Sequence, residues 1–404
     1  MIQHPTHFNG ADTPRSVRRR VRGALRFITL VTGLAITSVC QAQWSVTEFD
    51  PPSGYKYAVG TAISPTNQFG FIDSFSGGNE FSYAVSWSYT AGSLVNMNPA
   101  GALQSKIFSA AGTQQVGQVQ IGGNYVAGLW NGSASSFVNL GTAGFTTTEA
   151  DSTDGLTQVG TGWTNGVPVA LLWKGTAGSV VDLDPVGAAG YSQALTVDGN
   201  LEGGYCLDTG IQTAVLWHGT AASMTGIAPA NSTSSQVNVV NQGEAGGYAT
   251  FGTNTFSQAG IWTNDTAGSW INLAPAGSRS SYVSDLNGNY QIGTVTSGTS
   301  GPDHAAFWMG TAGSYVDLNQ FLPSGYNLYS EANAMYVDPT GGIWIIGNGG
   351  NFNTNVASAF VWHYTPSPEP CSLAALGVGV IALLRRRRRR EISRSGCDQK
   401  EAWI

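Results

Sequence analysis

A tryptophan-marked unit recurs along the chain and limits the possible folds more than any other feature. Tryptophan returns at intervals of 43, 43, 44, 45, 46 and 54 residues. A period near 45 that persists through a chain is typical of solenoids and propellers, in which each unit buries its apolar face against its neighbours. The repeat tryptophans are Trp87, Trp130, Trp173, Trp217, Trp262, Trp308 and Trp362.

Each unit predicts four short strands. In the unit of Trp217, apolar and β-branched segments at 192–197, 201–206, 213–217 and 224–228 are separated by turn residues such as Asp198-Gly199, a pair that favours tight hairpins. A Gly-Thr-Ala-Gly-Ser turn follows both Trp173 and Trp308. Four short strands in about 45 residues are the pattern of a propeller blade.

The two ends of the repeat predict a closed ring. After Trp362 the chain reaches Pro366 with no fourth strand, whereas 44–51 matches the fourth-strand pattern without the three strands that should precede it. Pairing these ends gives seven complete units, and an open solenoid would expose its strand edges. We therefore predict an all-β, seven-bladed β-propeller over 43–365, closed by its N-terminal strand.

The charge of the repeat region excludes one class of partner. Between 43 and 370 there are four basic and twenty acidic residues, a net charge of −16. Such a surface repels phosphate backbones, so we expect no nucleic-acid partner. Cys206 is the only cysteine between 43 and 366, so no disulfide is expected within that region, and it is predicted to be a buried apolar residue.

The N-terminal 1–42 reads as a signal peptide. A basic region through Arg26 precedes a 13-residue apolar run, 27–39, and small residues follow, with cleavage predicted between Ala42 and Gln43. This run has the length of a signal peptide and is too short to span a bilayer of about 30 Å.

The C-terminus contains three segments in a fixed order. Pro368-Glu369-Pro370 precede a 14-residue apolar stretch, 371–384, which predicts a single transmembrane helix. An arginine cluster follows and should stay in the cytoplasm; an ordinary membrane anchor would show the same order. We assign 366–390 to this segment and 391–404 to a short polar tail. The cluster is Arg385, Arg386, Arg387, Arg388, Arg389 and Arg390.

This order resembles the PEP-CTERM sorting domain, and the repeat units resemble HAF-type extracellular repeats. The first resemblance implies an exosortase and the export machinery as partners, with cleavage near Pro368-Glu369-Pro370. It also implies transient residence in the inner membrane, then the cell surface or extracellular matrix. Cys371 and the tail 391–404 depart from the family pattern.

Few residues stand out as binding or metal-ligating candidates. The seven repeat tryptophans occupy equivalent positions, which favours packing between units. Trp163, Trp270 and Trp344 lie outside the period and are better ligand candidates. Asp182 and Asp184 project from one face of a strand, but without a calcium-loop motif they predict no metal site.

No catalytic set is recognisable. His218 and His363 each follow a repeat tryptophan and His304 is isolated, so no shared cluster is expected. We expect no cofactor and no enzyme. The predicted function is an exported cell-surface or exopolysaccharide-matrix repeat protein, structural or adhesive, with exopolysaccharide as a candidate partner. The alternatives are a glycan- or ligand-binding propeller and, less favoured, a polysaccharide hydrolase or lyase. In the binding alternative, Ser192, Ser281 and Ser330 would line the centre.

Overall fold

The computed structural model describes residues 43–366, except 186–190, 209, 254 and 299, together with Arg386. The chain divides into two compact units, Met1–Cys40 and Gln41–Ile404, and the first lies wholly outside the described residues. Within the described residues the regular elements are twenty-eight β-strands and seven short 3-10 turns, which confirms the all-β class. No helix among them is long and apolar enough to span a membrane. The predicted C-terminal helix falls outside this part of the chain.

The strands occupy four recurring positions. First strands are β2 (Tyr57–Ile63), β6 (Gln104–Ala111), β10 (Thr147–Thr153), β14 (Ser192–Asp198), β18 (Ser232–Asn241), β22 (Ser278–Asn287) and β26 (Tyr329–Val337). Second strands are β3 (Gln68–Ser76), β7 (Gln114–Ile121), β11 (Gln158–Thr164), β15 (Leu201–Asp208), β19 (Glu244–Phe251), β23 (Tyr290–Ser297) and β27 (Ile343–Asn351). Third strands are β4 (Asn79–Trp87), β8 (Asn124–Trp130), β12 (Val167–Trp173), β16 (Ile211–Trp217), β20 (Gln258–Trp262), β24 (Asp303–Trp308) and β28 (Val356–Thr365). Fourth strands are β5 (Val95–Asn96), β9 (Val138–Asn139), β13 (Val181–Asp182), β17 (Thr225–Gly226), β21 (Trp270–Asn272), β25 (Val316–Asp317) and β1 (Gln43–Phe49).

Antiparallel pairing joins these strands into six sheets among the described residues. Five sheets contain four strands each, in chain order from first to fourth. The sixth contains eight strands, β26-β27-β28-β2-β3-β4-β5 with β1 also on β28. Its two halves are joined by one parallel bridge, between Tyr57 and Ala357. Each first strand contacts the first strand of the next sheet, and β26 contacts β2, so the first strands surround a common centre.

The N-terminal strand pairs with the last strand, as predicted from the unmatched repeat ends. β1 runs antiparallel to β28, from Gln43 opposite Thr365 to Phe49 opposite Ala359. Phe49 is fully buried, and the Trp44 ring lies 5.4 Å from the Phe307 ring. Trp44 and Val46 pack on one face of β1 and Phe49 packs on the other, so the strand contributes to two apolar clusters while it covers the outer edge of β28.

A recurring hydroxyl joins each of six first strands to the sheet before it. The hydroxyl oxygen accepts a backbone N–H of an alanine on the preceding third strand, at 2.8 to 3.1 Å. Those N–H groups are buried, so the hydroxyls satisfy donors that would otherwise be costly. The residues are Ser105, Thr148, Ser192, Ser235, Ser281 and Ser330.

Six of the repeat tryptophans end their third strands, Trp362 lies three residues before the end of β28, and all seven are at most 1% exposed. The Trp262 indole N–H donates to the carbonyl oxygen of Ile227, on the preceding sheet, at 2.8 Å. Trp130 and Trp362 make the same contact with Met97 and Leu318, both at 3.0 Å. The tryptophans thus pack between sheets, in the structural role expected from their equivalent positions.

The Gly-Thr-Ala-Gly-Ser motif forms a hydrogen-bonded turn. In the copy after Trp173, the Ser179 hydroxyl donates to the Thr176 carbonyl at 2.6 Å and accepts the Lys174 N–H at 2.7 Å. Gly175 has a φ of 79°, which favours glycine. Its N–H donates to the Gln158 side chain at 2.7 Å. The motif therefore links the third strand to the fourth and carries no ligand chemistry of its own.

Candidate functional site in the central channel

The first strands enclose a cavity of about 320 Å³, which we call the channel. Residues from all seven first strands line it. Apart from the single bridge between Tyr57 and Ala357, a first strand pairs on one edge only, with its second strand, so its other edge and the side chains beside it are available to the centre. Among the described lining residues the charged side chains are Asp151 and Asp285, and none is basic. The channel therefore has an acidic character.

Each first strand carries a β-bulge at an equivalent position. The register shifts by one residue there, which leaves one residue of the first strand without a partner on the second. Bulges redirect side chains and recur beside functional sites. The seven bulged residues all line the channel and are Thr61, Phe108, Asp151, Leu195, Asn238, Ser284 and Asn333.

Three bulged side chains link neighbouring sheets. Thr61 donates to the carbonyl oxygen of Ile107 at 2.7 Å, and Asn238 donates to that of Val283 at 2.8 Å. Asn333 makes the same contact with Gly60 at 2.8 Å. In each case the acceptor is the residue just before the bulge of the next sheet. The bulge position is therefore a place where a donor stabilises the ring.

Asp151 occupies this position with a carboxyl group that cannot donate when ionised. The Thr161 hydroxyl donates to Asp151 Oδ2 in a long hydrogen bond of 3.5 Å. Glu149 lies two residues earlier, and its Oε2 accepts from the Gln118 amide at 3.3 Å. Burial, followed by the charge of Glu149, raises the pKa of Asp151 well above its ordinary value. Burial also raises the pKa of Glu149 to about 7. The two carboxyls form a pair that an added positive charge would stabilise in its ionised form.

Asp285 is the second acidic group of the channel. Its Oδ2 accepts the Met335 N–H of the next first strand at 2.7 Å, and its Oδ1 accepts the Leu286 N–H at 2.8 Å. Burial nevertheless raises its pKa to about 7, against the lowering effect of these bonds. Going around the ring from β10 to β22, two first strands lie between Asp151 and Asp285 in one direction and three in the other. The two carboxyls therefore lie on roughly opposite sides of the channel.

Asp285→Asn is expected to flatten the pH dependence of stability. The folded-state pKa is raised above the unfolded value, so the folded protein retains a proton that the unfolded chain releases near pH 4. Stability from this group is therefore lost as pH rises from about 4 to 7. One pKa unit corresponds to about 1.4 kcal/mol. Between pH 5 and 8 we therefore expect the unfolding free energy of Asp285→Asn to rise relative to that of wild type by on the order of 2 kcal/mol.

Urea unfolding at a series of pH values measures this difference. Asp154→Asn is the matched control, because Asp154 also accepts backbone N–H groups but lies outside the channel. A gap between Asp285→Asn and wild type that stays constant with pH would show that the carboxyl does not titrate in this range.

The serines expected to line the centre do not line it. Ser192, Ser281 and Ser330 are at most 1% exposed and accept alanine N–H groups of the preceding sheets. The bulge lies three residues further along each strand and places a different side chain in the channel. Sequence reasoning missed the bulged residues. Alignment of the units on the recurring Ser or Thr would have isolated them as the variable position three residues later.

The tryptophans outside the period differ in their surroundings. Trp270 packs on Trp262 with ring centroids 4.6 Å apart and covers Gly260, where a Cβ would clash with its ring. Trp344 stacks on His363 at 3.6 Å and donates to Asp338 at 3.2 Å. Trp163 ends β11 nearer the surface and is partly buried. None of the three lines the channel.

The aspartate pair and His304 have structural partners. Asp182 accepts the Asp184 N–H at 2.8 Å, and Asp184 accepts the Ser192 hydroxyl at 2.6 Å. His304 Nδ1 lies 2.8 Å from Asp317 Oδ2 across two strands. The equivalent pair one sheet earlier is Gln258 with Asn272, at 2.6 Å, so a histidine is one of several ways to fill this position.

The remaining predicted residues fall in other places. His218 Nε2 lies 3.7 Å from Asp265 at the surface, and burial lowers the pKa of His363. Cys206 is 5% exposed in an apolar cluster. Within the described residues no group of three potential ligands could hold a metal ion. Gln43 begins β1. Ala42, Pro368-Glu369-Pro370 and the arginine cluster lie outside the described residues, apart from Arg386, which is exposed.

Comparison with solved structures identifies the fold. The β-propeller domain of the Trilobed protease from Pyrococcus furiosus superposes with a TM-score of 0.51 at 7% identity, covering 76% of this chain and 95% of that domain. The described body is a β-propeller. TolB from Acinetobacter baumannii matches with a TM-score of 0.44 at 10% identity, over 69% of this chain and 63% of TolB. Acylaminoacyl peptidase from Pyrococcus horikoshii matches with a TM-score of 0.48 at 9% identity, and the matched region covers 73% of this chain and 49% of that enzyme. No family model and no curated protein matches the sequence.

These neighbours correct the functional prediction. The solved structures that resemble the propeller include the propeller domain of the Trilobed protease, TolB and an uncharacterised protein from Listeria monocytogenes. The prediction of a structural or adhesive, non-catalytic surface or matrix protein is contradicted by the resemblance to a protease propeller. It relied on the lack of a recognisable catalytic motif, and such a lack does not distinguish a matrix protein from a propeller of the kind that peptidases carry.

Proposed function

We propose that the propeller has seven blades. The eight-stranded sheet then counts as two blades, because a single bridge between Tyr57 and Ala357 joins its halves. One of these blades takes β1 as its fourth strand. The contacts of the first strands around a common centre support this count, as does the recurrence of one bulge on each of them.

We further propose that the channel recognises a cationic group of a polypeptide, either a lysine or arginine side chain or a free amino terminus. The observation that carries this proposal is Asp151. A threonine or asparagine at the same position donates a bond that joins two sheets, whereas Asp151 forgoes this bond and lies beside a second carboxyl. Two neighbouring carboxyls at the edge of the channel leave a negative charge that a positively charged ligand would balance.

The dimensions and chemistry of the channel fit this ligand. A cavity of about 320 Å³ accommodates one or two side chains and excludes a folded domain. Asp151 and Asp285 line the channel from roughly opposite sides, so an ammonium or guanidinium group in it would have a carboxyl on either side. The Trilobed protease carries a propeller as one of its domains, and a polypeptide ligand suits such a setting.

Asp151→Asn separates binding from folding. An asparagine can donate to the next sheet as Asn238 and Asn333 do, so we expect the variant to be at least as stable as wild type. It should bind a capped tetralysine peptide at least about tenfold more weakly, because removing one partner of a buried charge pair typically costs 2 to 5 kcal/mol. Isothermal titration calorimetry and thermal unfolding measure the two effects.

The controls follow from the same geometry. Asp154→Asn, outside the channel, should bind tetralysine as wild type does, and a capped tetranorleucine peptide should bind to neither. If tetralysine binds wild type and Asp151→Asn equally well, the channel does not recognise the cation. Loss of both stability and binding in Asp151→Asn would show instead that the carboxyl is structural.

We also propose that the chain is exported and sorted through Pro368-Glu369-Pro370 by an exosortase. The order of motif, apolar stretch and arginine cluster supports this, and export is consistent with the predicted signal peptide. Mass spectrometry of the mature protein should find its C-terminus near Pro370. A mature form that retains Arg385 and the arginines after it would contradict exosortase processing.

A further inference from the structure

A second cavity, of about 430 Å³, lies beside the channel between the sheets of β2–β5 and β6–β9, and we call it the side pocket. Phe71, Phe108 and Tyr125 provide aromatic walls, and Lys106 provides a positive charge. Phe108 is the bulged residue of β6 and lines both cavities. The side pocket and the channel therefore adjoin at Phe108.

Lys106 is held in place but is only weakly paired. Its ammonium lies 4.4 Å from the centroid of the Phe71 ring and 3.9 Å from Glu80 Oε1. The side chains of Lys106 and Glu80 are 33% and 48% exposed, and such exposed ion pairs contribute little. The ammonium can therefore exchange Glu80 for a carboxylate of a ligand without losing its contact with Phe71.

The amide groups of the side pocket are already engaged. Gln104 donates to Gln120 at 3.1 Å and to the Tyr125 hydroxyl at 3.3 Å, and it accepts the Ser82 N–H at 3.1 Å. Gln118 donates to Glu149, two residues before Asp151, at 3.3 Å. These bonds fix the walls, so a ligand meets a preformed aromatic surface with one ammonium at its side.

We infer that the side pocket binds the C-terminal residue of a polypeptide, with its carboxylate on Lys106 and a large apolar side chain between Phe71 and Phe108. Lys106 is one of four basic residues in a region of net charge −16, so a carboxylate is repelled from most of the surface and attracted here. This inference rests on the proposed function in taking the ligand to be a polypeptide. It names the end of the chain that enters beside the channel.

N-acetylphenylalanine and its amide test the side pocket without engaging the channel acids. By calorimetry, the free acid should bind wild type about fivefold more tightly than the amide, the preference that a partly exposed ion pair provides. Lys106→Met keeps an unbranched apolar side chain over Phe71, so it should bind both compounds with the affinity of the amide. Lys174→Met, at an exposed site in another sheet, should retain the preference for the acid.

Two further variants distinguish this inference from the proposed function. Asp151→Asn should bind N-acetylphenylalanine as wild type does, and Phe108→Ala should bind it more weakly. Equal binding of acid and amide by wild type, or no binding of either, would overturn the inference whatever tetralysine does. Binding of the acid, lost in Lys106→Met, would uphold the side pocket even if tetralysine fails to bind the channel.

Discussion

Deletion of Gln43–Phe49 is expected to lower the unfolding free energy by at least about 3 kcal/mol, since Phe49 is fully buried and Trp44 and Val46 are partly so. The deletion also uncovers the outer edge of β28, whose backbone groups would then be free to pair with another chain. We therefore expect a lower unfolding temperature together with dimers or larger species. Thermal unfolding and light scattering after gel filtration measure the two effects.

The matched control changes only exposed side chains of the same strand. Ser45→Ala with Thr47→Ala alters two exposed side chains of β1 and leaves its pairing with β28 intact. This double variant should unfold within about 0.5 kcal/mol of wild type, as surface substitutions usually do. A deletion variant that is monomeric and as stable as wild type would show that β1 does not close the ring.

Trp262→Ala is expected to destabilise the protein by about 3 to 5 kcal/mol, the usual cost of truncating a buried tryptophan. Trp262 is fully buried between two sheets. The substitution removes its bond to the Ile227 carbonyl and its contact with Trp270, and it leaves a cavity against Val237 and Leu216. Urea unfolding followed by circular dichroism gives the change in unfolding free energy.

Trp163→Ala is the control for this prediction. Trp163 is also a strand tryptophan, but it lies outside the period and is only partly buried. We expect Trp163→Ala to lower the free energy of unfolding by less than half as much as Trp262→Ala does. Equal costs at the two positions would mean that the period does not mark the residues that hold the sheets together.

The repeat made most of the fold predictable from sequence. The turns between tryptophans gave four short strands to a unit, and the unmatched ends gave the pairing of β1 with β28. The predicted strand at 224–228 was too long. The observed strand is Thr225–Gly226. The residue after it, Ile227, uses its carbonyl oxygen to accept the Trp262 indole N–H.

The channel residues were missed because a β-bulge leaves no composition signal within a single unit. The bulged residues range from Leu195 and Phe108 to Asp151 and share no side-chain property. Their position follows only from the register of first and second strands, which becomes visible when the strands are paired. The Ser or Thr hydroxyl three residues before the bulge did recur in the sequence, and we had predicted that it lines the centre. Alternation along a strand gives two faces, but it does not say which side chains point into the channel and which pack against the neighbouring sheet.

The acidic residues illustrate the same limit. The sequence predicts a net charge of −16 for 43–370, but it does not distinguish Asp151 and Asp285 from the other carboxylates of this region. The structure separates them by burial and by their partners, and it places them around one cavity. Lys106 likewise appeared as one of a few scattered bases until the fold brought Phe71 and Phe108 beside it.

Proton release on binding tests the central claim most directly. A cation between the channel carboxyls would lower their raised pKa values, so tetralysine binding at pH 7 should expel protons and tighten as pH rises from 6 to 8. Calorimetric titrations in phosphate and in Tris buffer, which differ in ionisation enthalpy, count these protons. We predict a net release by wild type that is reduced in Asp151→Asn. Binding with no proton release, and with an affinity independent of pH, would contradict a cation site at these carboxyls.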